Sequence, residues 1–334
     1  MILNMNLGKN SYDISIERGS LAKVGKLINL NRKVLVVTYS GVPAQYARMV
    51  ASQCADGVVV TIPQGEESKS FDMYRELLKK LLENNFTRSD CVVAVGGGVV
   101  GDLSGFVAAS YMRGIEFYNI PTTVLSQIDS SIGGKVAIDF EGIKNIVGAF
   151  YQPKKVVIDP DVLDTLPERQ FSNGLAEAIK MSLTSDRELF ELIENNDIRE
   201  NVDTIIVKSL NIKKNVVEQD EKEKGLRKIL NFGHTIGHGI ESEEELHGLY
   251  HGECVALGML PVCSDEVRAR LLPVLKKAGL PTEAEFDKTK VCEAMLHDKK
   301  FSGKHITLIL VEKIGEFVME NITADELSKR VMNI

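Results

Sequence analysis

The sequence predicts two domains of different class, an α/β N-terminal domain built on a mostly parallel sheet and a mostly α-helical C-terminal domain. Three observations carry this. Short apolar, β-branched runs at residues 34–38, 58–62, 91–95, 117–120 and 156–158 alternate with helical segments, as in a doubly wound parallel sheet buried on both faces. Beyond about residue 160 only residues 306–311 read as a strand, and helical periodicity takes over. The chain has 334 residues, enough for about two domains with separate cores. The boundary is expected between a domain 1–157 and a domain 158–334.

Taken in order, residues 2–7 and 12–17 alternate apolar and polar around Gly8, Lys9 and Asn10, which predicts a β-hairpin. Residues 20–30 suit a short helix and residues 43–54 another. In residues 70–84, Phe71, Tyr74, Leu77, Leu78 and Leu81 share one helical face. Three glycines then open a helix running to about Met112. In the second half, helices are expected over residues 167–195, 199–219, 226–245, 252–279 and 283–297. The charge run at 218–228 is most simply a solvated connector.

Composition narrows the class. With 44% hydrophobic and 26% charged residues this is an ordinary soluble globular chain. A net charge of -7 argues against a nucleic-acid partner, although a locally basic pocket can still take a small anion. The five cysteines are scattered and form no CxxC pair, which suits reduced thiols in the cytoplasm. No basic n-region precedes an apolar core at the N-terminus, and no apolar run approaches the ~18 residues of a membrane helix. A cytoplasmic protein without a membrane partner is the expectation.

Four stretches could carry chemistry. Gly96, Gly97, Gly98, Val99, Val100, Gly101 and Asp102 satisfy G-x-G-x-x-G between a strand and a helix, where backbone amides can meet a phosphate. The setting is Rossmann-like, but the motif follows a later strand and no acidic residue ends the next one, unlike the usual dinucleotide fingerprint. A polar, glycine-containing stretch follows, with Thr122, Thr123, Asp129, Lys135, Lys144 and Asn145; it reads as a site wall rather than core. Glu177 and Lys180 stand i, i+3 on an otherwise apolar helix, either as a surface ion pair or with the carboxylate as a ligand. Finally, four of the six histidines (His234, His238, His247, His251) lie between residues 234 and 251. His234 and His238, at i and i+4, share a helical face. Two imidazoles with Glu177 would form a His2Glu metal set with an open position; histidines hydrogen-bonded in a partly buried helix are the alternative. His251 is preferred to His247 because Gly252 and a helical segment follow it directly.

These stretches, with Gly65 to Lys69, Tyr111 to Gly114, Gly148 to Pro153, Leu166 to Arg169 and Arg227 to His238, occur in an order and spacing that resembles the 3-dehydroquinate synthase family nearly end to end. The resemblance implies an NAD-binding α/β domain and a helical domain holding Zn2+ or Co2+, with the site in the cleft between them. It implies a lyase of the shikimate pathway acting on an anionic sugar phosphate, 3-deoxy-D-arabino-heptulosonate 7-phosphate. The products are 3-dehydroquinate and phosphate, by transient oxidation, phosphate elimination, re-reduction, ring opening and intramolecular aldol closure. The implied metal ligands are Glu177, His234 and His251. The nucleotide would meet Glu66, Lys69, Gly98, Val99, Val100, Gly101, Asp102, Thr122, Thr123, Lys135, Lys144 and the segment Leu163, Asp164, Thr165. Catalytic roles would fall to Asp129, Lys135, Lys180, Asn231 and His238. Substrate contacts would come from Asn145, Lys213, Arg227 and Lys300 (Lys299 and Lys304 being the alternatives), with Arg113 reaching in from the partner subunit of a homodimer.

Where many members carry an acidic or amide residue for the adenosine ribose, this chain has Thr38, Tyr39, Ser40 and Gly41. Two rival readings share the motifs: another sugar-phosphate cyclase, or a metal- and NAD-dependent polyol or alcohol dehydrogenase. Lys213, Arg227, Asn231 and His238 together suit a substrate with two anionic ends and favour dehydroquinate formation.

Overall fold

The computed structural model describes residues 1–244, 248–297 and 305–332. The chain forms two compact units, Met1–Leu166 and Pro167–Ile334.

In the first unit the strands are β1 (Ile2–Met5), β2 (Tyr12–Ile16), β3 (Lys33–Tyr39), β4 (Asp56–Ile62), β5 (Cys91–Gly96), β6 (Glu116–Pro121), β7 (Lys135–Phe140), β8 (Ile143–Phe150) and β9 (Lys155–Ile158). The helices are α1 (Ala44–Ala51), α2 (Phe71–Glu83) and α3 (Gly98–Ser110). Seven strands form one sheet in the order β1-β2-β9-β6-β5-β3-β4, and every pairing is parallel except the β1-β2 hairpin. The near-continuous apolar runs are explained by burial on both faces. Along β3, Val34 and Val36 pack with Tyr46 and Val50 on one side, while Leu35 and Val37 pack with Leu77, Leu81 and Leu103 on the other.

The connection after β3 leads outward to β4, and the one after β5 leads the opposite way to β6. Their helices α1 and α3 contribute to opposite cores, through Tyr46 and Val50 for α1 and Val100 and Leu103 for α3. This is the switch point at which doubly wound sheets bind ligands, beyond the carboxyl ends of the strands.

Two local expectations change here. Residues 20–30 form only a 3-10 turn, Ser20–Lys26, broken at Lys23; glycines at 19 and 25 weaken a regular helix. The polar stretch after residue 134 is an antiparallel hairpin, β7 with β8, in which Phe140 pairs with Ile143. Its two-residue turn, Glu141 and Gly142, has φ of 50° and 74°, the mirror-image turn geometry that suits strand twist. Lys135 and Asp139 in β7, and Lys144, Asn145 and Gly148 in β8, masked their alternation.

The second unit contains α4 (Glu168–Ser185), α5 (Arg187–Asn195), α6 (Val202–Gln219), α7 (His234–Glu244), α8 (His251–Met259), α9 (Asp265–Lys277), α10 (Lys288–His297), β10 (His305–Lys313), β11 (Glu316–Thr323) and α11 (Ala324–Met332). The strand expected at 306–311 is one arm of a hairpin whose partner, β11, has a largely exposed face and so lacks a strong apolar signal. Its turn docks on α4 through Gly315 N–H to Leu183 O, 2.7 Å. The charge run 218–228 is only partly a solvated connector. The Asp220 carboxylate accepts from the amides of Lys224, Gly225 and Arg227, and Arg227 itself is 2% exposed. No helix among the described residues is long and apolar enough to cross a membrane, and the five cysteines are free thiols.

Candidate active site

In the second unit, α4 is buried without interruption from Phe171 to Thr184, so Glu177 and Lys180 do not form a surface pair. They are 1% and 2% exposed and touch through Glu177 Oε2 and Lys180 Nζ. Lys180 also donates to Leu230 O at 2.6 Å. Burying charge is costly unless it is compensated, so a helix that keeps both charges in its core holds them for a reason other than packing.

Helices α7 and α8 bring two imidazoles to the same carboxylate. Nε2 of His234 lies 3.3 Å and Nε2 of His251 3.5 Å from Glu177 Oε1. The helices approach so closely because glycines meet at their crossing: a Cβ on Gly258 would stand 2.2 Å from Gly233 O. The start of α8 is pinned to α4 in the same way. Gly252 N–H donates to Asn173 Oδ1 at 2.6 Å, and a Cβ on Gly252 would stand 2.0 Å from Asn173 O. Arg169 completes the clamp with a bidentate pair to Glu253 at 2.7 Å, a bond to Gly248 O and a stack 4.0 Å over Tyr250.

Electrostatics prepare these groups to hold a cation. Burial would raise the Glu177 carboxyl, but Lys180 and His234 hold it well below the usual carboxylate range. Burial, then the Lys180 cation, lowers the His234 imidazolium, leaving a neutral ring at pH 7. His251 differs. Burial alone would lower it, but the carboxylates of Glu177 and Glu241 outweigh that and raise it to about 10.

The donor set fits a divalent metal. Glu177 Oε1 is buried and receives no well-directed hydrogen bond. Two tetrahedral ligands, each about 2.0–2.1 Å from zinc, stand about 3.4 Å apart, close to the separations observed here. His238, half-buried, has its ring centroid 5.2 Å from that of His234 and 5.8 Å from that of His251. With Glu241 and His251 it forms a second group whose ligand atoms lie within 4.8 Å of one another. Lys213 and Arg227 are buried at 5% and 2% exposure. Arg227 donates to Glu221 O at 2.5 Å, and Asn231 donates to Glu223 at 2.8 Å. His247, Lys299, Lys300 and Lys304 lie outside the described residues.

In the first unit the glycine turn stands at the carboxyl end of β5, beside the switch point. Gly96 pairs with Pro121, and Thr122 N–H donates to Gly96 O at 2.9 Å, so the glycine turn and Thr122–Thr123 lie side by side. Gly97 caps α3 without a side chain, leaving its first amides to water or a ligand. Lys69, 3% exposed, meets Asp102 at 2.9 Å, Glu66 at 3.1 Å and Asn145. These neighbours outweigh the burial that would lower the ammonium and hold it above its ordinary value. Asn145, expected to contact substrate, thus stands with the expected cofactor residues.

Asp129 lies in a single π-helical turn, Ser126–Ser130; Lys135 and Lys144 are exposed on the hairpin. Leu163 is buried and Asp164 exposed, and Thr165 Oγ1 bonds to Tyr46 OH at 2.9 Å. In the stretch opposite the adenosine expectation, Ser40 Oγ accepts from Gln64 N–H at 3.1 Å. Arg113 is exposed, and it and Met112 have φ of 69° and 49°, a strained conformation for residues other than glycine.

Sequence reasoning missed Glu241, Asn173 and the Arg169–Glu253 clamp. Glu241 could have been found by the helical spacing already used for the histidines, since it stands i+7 from His234 and i+3 from His238.

Residues 59–173 match the family 3-dehydroquinate synthase N-terminal, and residues 174–301 match 3-dehydroquinate synthase C-terminal. A 3-dehydroquinate synthase of Acetivibrio thermocellus is 45% identical, covering 99% of this chain and 98% of its own. A 2-epi-5-epi-valiolone synthase from Streptomyces hygroscopicus subsp. jinggangensis, solved with NAD+ and Zn2+ bound, superposes with a TM-score of 0.88 at 26% identity over 96% of each chain. The fold is also that of a 2-deoxy-scyllo-inosose synthase solved with carbaglucose-6-phosphate, NAD+ and Co2+, with a TM-score of 0.90 at 24% identity over the whole of both chains. Matched in order through both halves and by a near-full-length relative, this chain belongs to the 3-dehydroquinate synthase family.

Proposed function

We propose that the chain converts 3-deoxy-D-arabino-heptulosonate 7-phosphate to 3-dehydroquinate and phosphate, as a lyase that uses NAD and Zn2+ or Co2+. The observation that carries this is the Glu177–His234–His251 donor set, with Glu177 and His234 buried and His251 half-buried, and the buried Lys180 cation beside it. A buried ammonium beside the ligand set suits a carboxylated sugar phosphate better than an uncharged aliphatic alcohol, because charge-assisted hydrogen bonds to anionic oxygens are the stronger ones. When bound, the metal acts as a Lewis acid on a substrate hydroxyl and the nicotinamide takes up and returns a hydride.

The chain's own residues bind and orient. Lys180, held by Leu230 O and Glu177, directs an ammonium toward substrate oxygens. Lys213 and Arg227, with Asn231, supply the charge-assisted donors that carboxylate and phosphate groups require. His238 is outside the ligand set and free of that duty, so it can carry a proton at one ring nitrogen. Lys69, Asp102, Glu66 and the uncapped start of α3 would hold the nucleotide, with Thr122, Thr123, Lys135 and Lys144 bordering it. Asp129 and Asn145 would orient the reacting groups. In a homodimer, the exposed and strained Arg113 would be offered to the partner.

The test is to supply NAD+, zinc and the heptulosonate phosphate and to follow phosphate release and net NADH. Phosphate release without net NADH is expected. Stoichiometric NADH would point to the dehydrogenase reading, and absence of phosphate release would refute the proposal.

A further inference from the structure

We propose that Glu241 is a positioning residue for His251, fixing which ring nitrogen is presented to the metal. This rests on the reading of Glu177, His234 and His251 as the ligands. The two nitrogens of His251 are divided between two carboxylates: Nε2 lies 3.5 Å from Glu177 Oε1, and Nδ1 lies 3.0 Å from Glu241 Oε2. A carboxylate accepts and does not donate, so Nδ1 keeps its proton toward Glu241, and Nε2, which faces Glu177 and His234, is the nitrogen that gives up its proton when a metal binds. His234 is oriented by the same logic with a weaker acceptor, its Nδ1 lying 3.1 Å from Phe232 O. Ligating histidines gain orientation and basicity from such outer partners, and an anionic partner gives more of both.

The position suits the role. Glu241 is two turns along α7 from His234, on the helical face that carries the histidines, and its side chain is 19% exposed. Glu241, His238 and His251 could instead hold an ion of their own. That would require His251 to ligate through Nδ1, whereas a 3.0 Å nitrogen–oxygen separation is a hydrogen bond. One metal per chain follows.

The test uses full-length protein, stripped of metal and titrated with zinc against a competing chelator. Glu241→Ala is expected to weaken zinc binding by about 10–100-fold, and Glu241→Gln by less, because the amide oxygen still accepts. In zinc-loaded wild type, nitrogen-15 NMR of labelled histidine is expected to show His251 protonated at Nδ1 and metal-bound at Nε2. This measurement decides the matter even if the variants do not fold. Unchanged zinc affinity in Glu241→Ala, loss of stability alone, ligation through Nδ1, or two ions per chain would each overturn the proposal. A wild type that binds no zinc defeats the ligand set and the proposal with it; a wild type that binds zinc as well as Glu241→Ala does defeats only the role of Glu241.

Discussion

Replacing Glu177 by glutamine keeps the side chain's shape and removes its charge. In the metal-free protein this strands the Lys180 ammonium, 2% exposed, with a neutral amide and the Leu230 carbonyl as neighbours. Breaking a buried pair from one side costs about 3–5 kcal/mol, because the remaining charge stays desolvated. At roughly 2–4 °C per kcal/mol for a unit of this size, the melting temperature should fall by about 6–20 °C. The effect has a definite pH sign. The Glu177 carboxyl is held low in the folded state, so its stabilisation is full above the unfolded value of about 4.3 and is lost as pH falls through the folded value. Urea unfolding of metal-free wild type and Glu177→Gln should therefore differ most near neutrality and converge in acid. Changing both partners, Glu177→Gln with Lys180→Met, removes the stranded charge and should restore most of the loss. A single variant within about 1 kcal/mol of wild type, or a double variant no better than the single, would refute the claim that the pair is a buried, mutually dependent unit.

Three further outcomes are expected. Gly252→Ala places a Cβ 2.0 Å from Asn173 O and must push the start of α8 off α4; a loss of about 1–3 kcal/mol and weaker zinc binding should appear together in thermal and chelator titrations, and wild-type zinc affinity would contradict the clamp. Lys69→Met removes the cation beside Asp102 and Glu66, and calorimetry should find NAD binding weakened by about tenfold or more, while unchanged affinity would take Lys69 out of the nucleotide site. Because His251 is raised to about 10, the metal-free ring is protonated at pH 7, so zinc must displace that proton and bind more weakly as pH falls; calorimetry in buffers of different ionisation enthalpy should show about one proton released, and none would refute it.

Local pattern explains why much of this was legible. The runs in β3, β5 and β6 are apolar on both faces because the sheet is covered on both sides, and that signal survives in a single sequence. The β7–β8 hairpin was not legible, although its Glu141–Gly142 turn was a usable sign, because β7 is a short run between Lys135 and Asp139 and the largely exposed β8 carries lysine, asparagine and glycine where apolar residues would mark a strand. At the site, the i, i+4 spacing of His234 and His238 drew attention to α7 but does not by itself say which ring meets Glu177. The ring that joins His234 at Glu177 is His251, from the next helix.

The sequence alone therefore determined the buried parallel strands, the α/β-then-helical division, the glycine turn between β5 and α3 and the residue types of a candidate metal set, because each is written in spacing along one element. Only the tertiary structure decided which charges are buried and which side chains meet. Glu177 reaches His234 and His251 because glycines let α7 cross α8 closely and let α8 start against α4. Glu241 and the Arg169–Glu253 clamp matter for the same reason, since burial and contact between elements are properties of the packed chain.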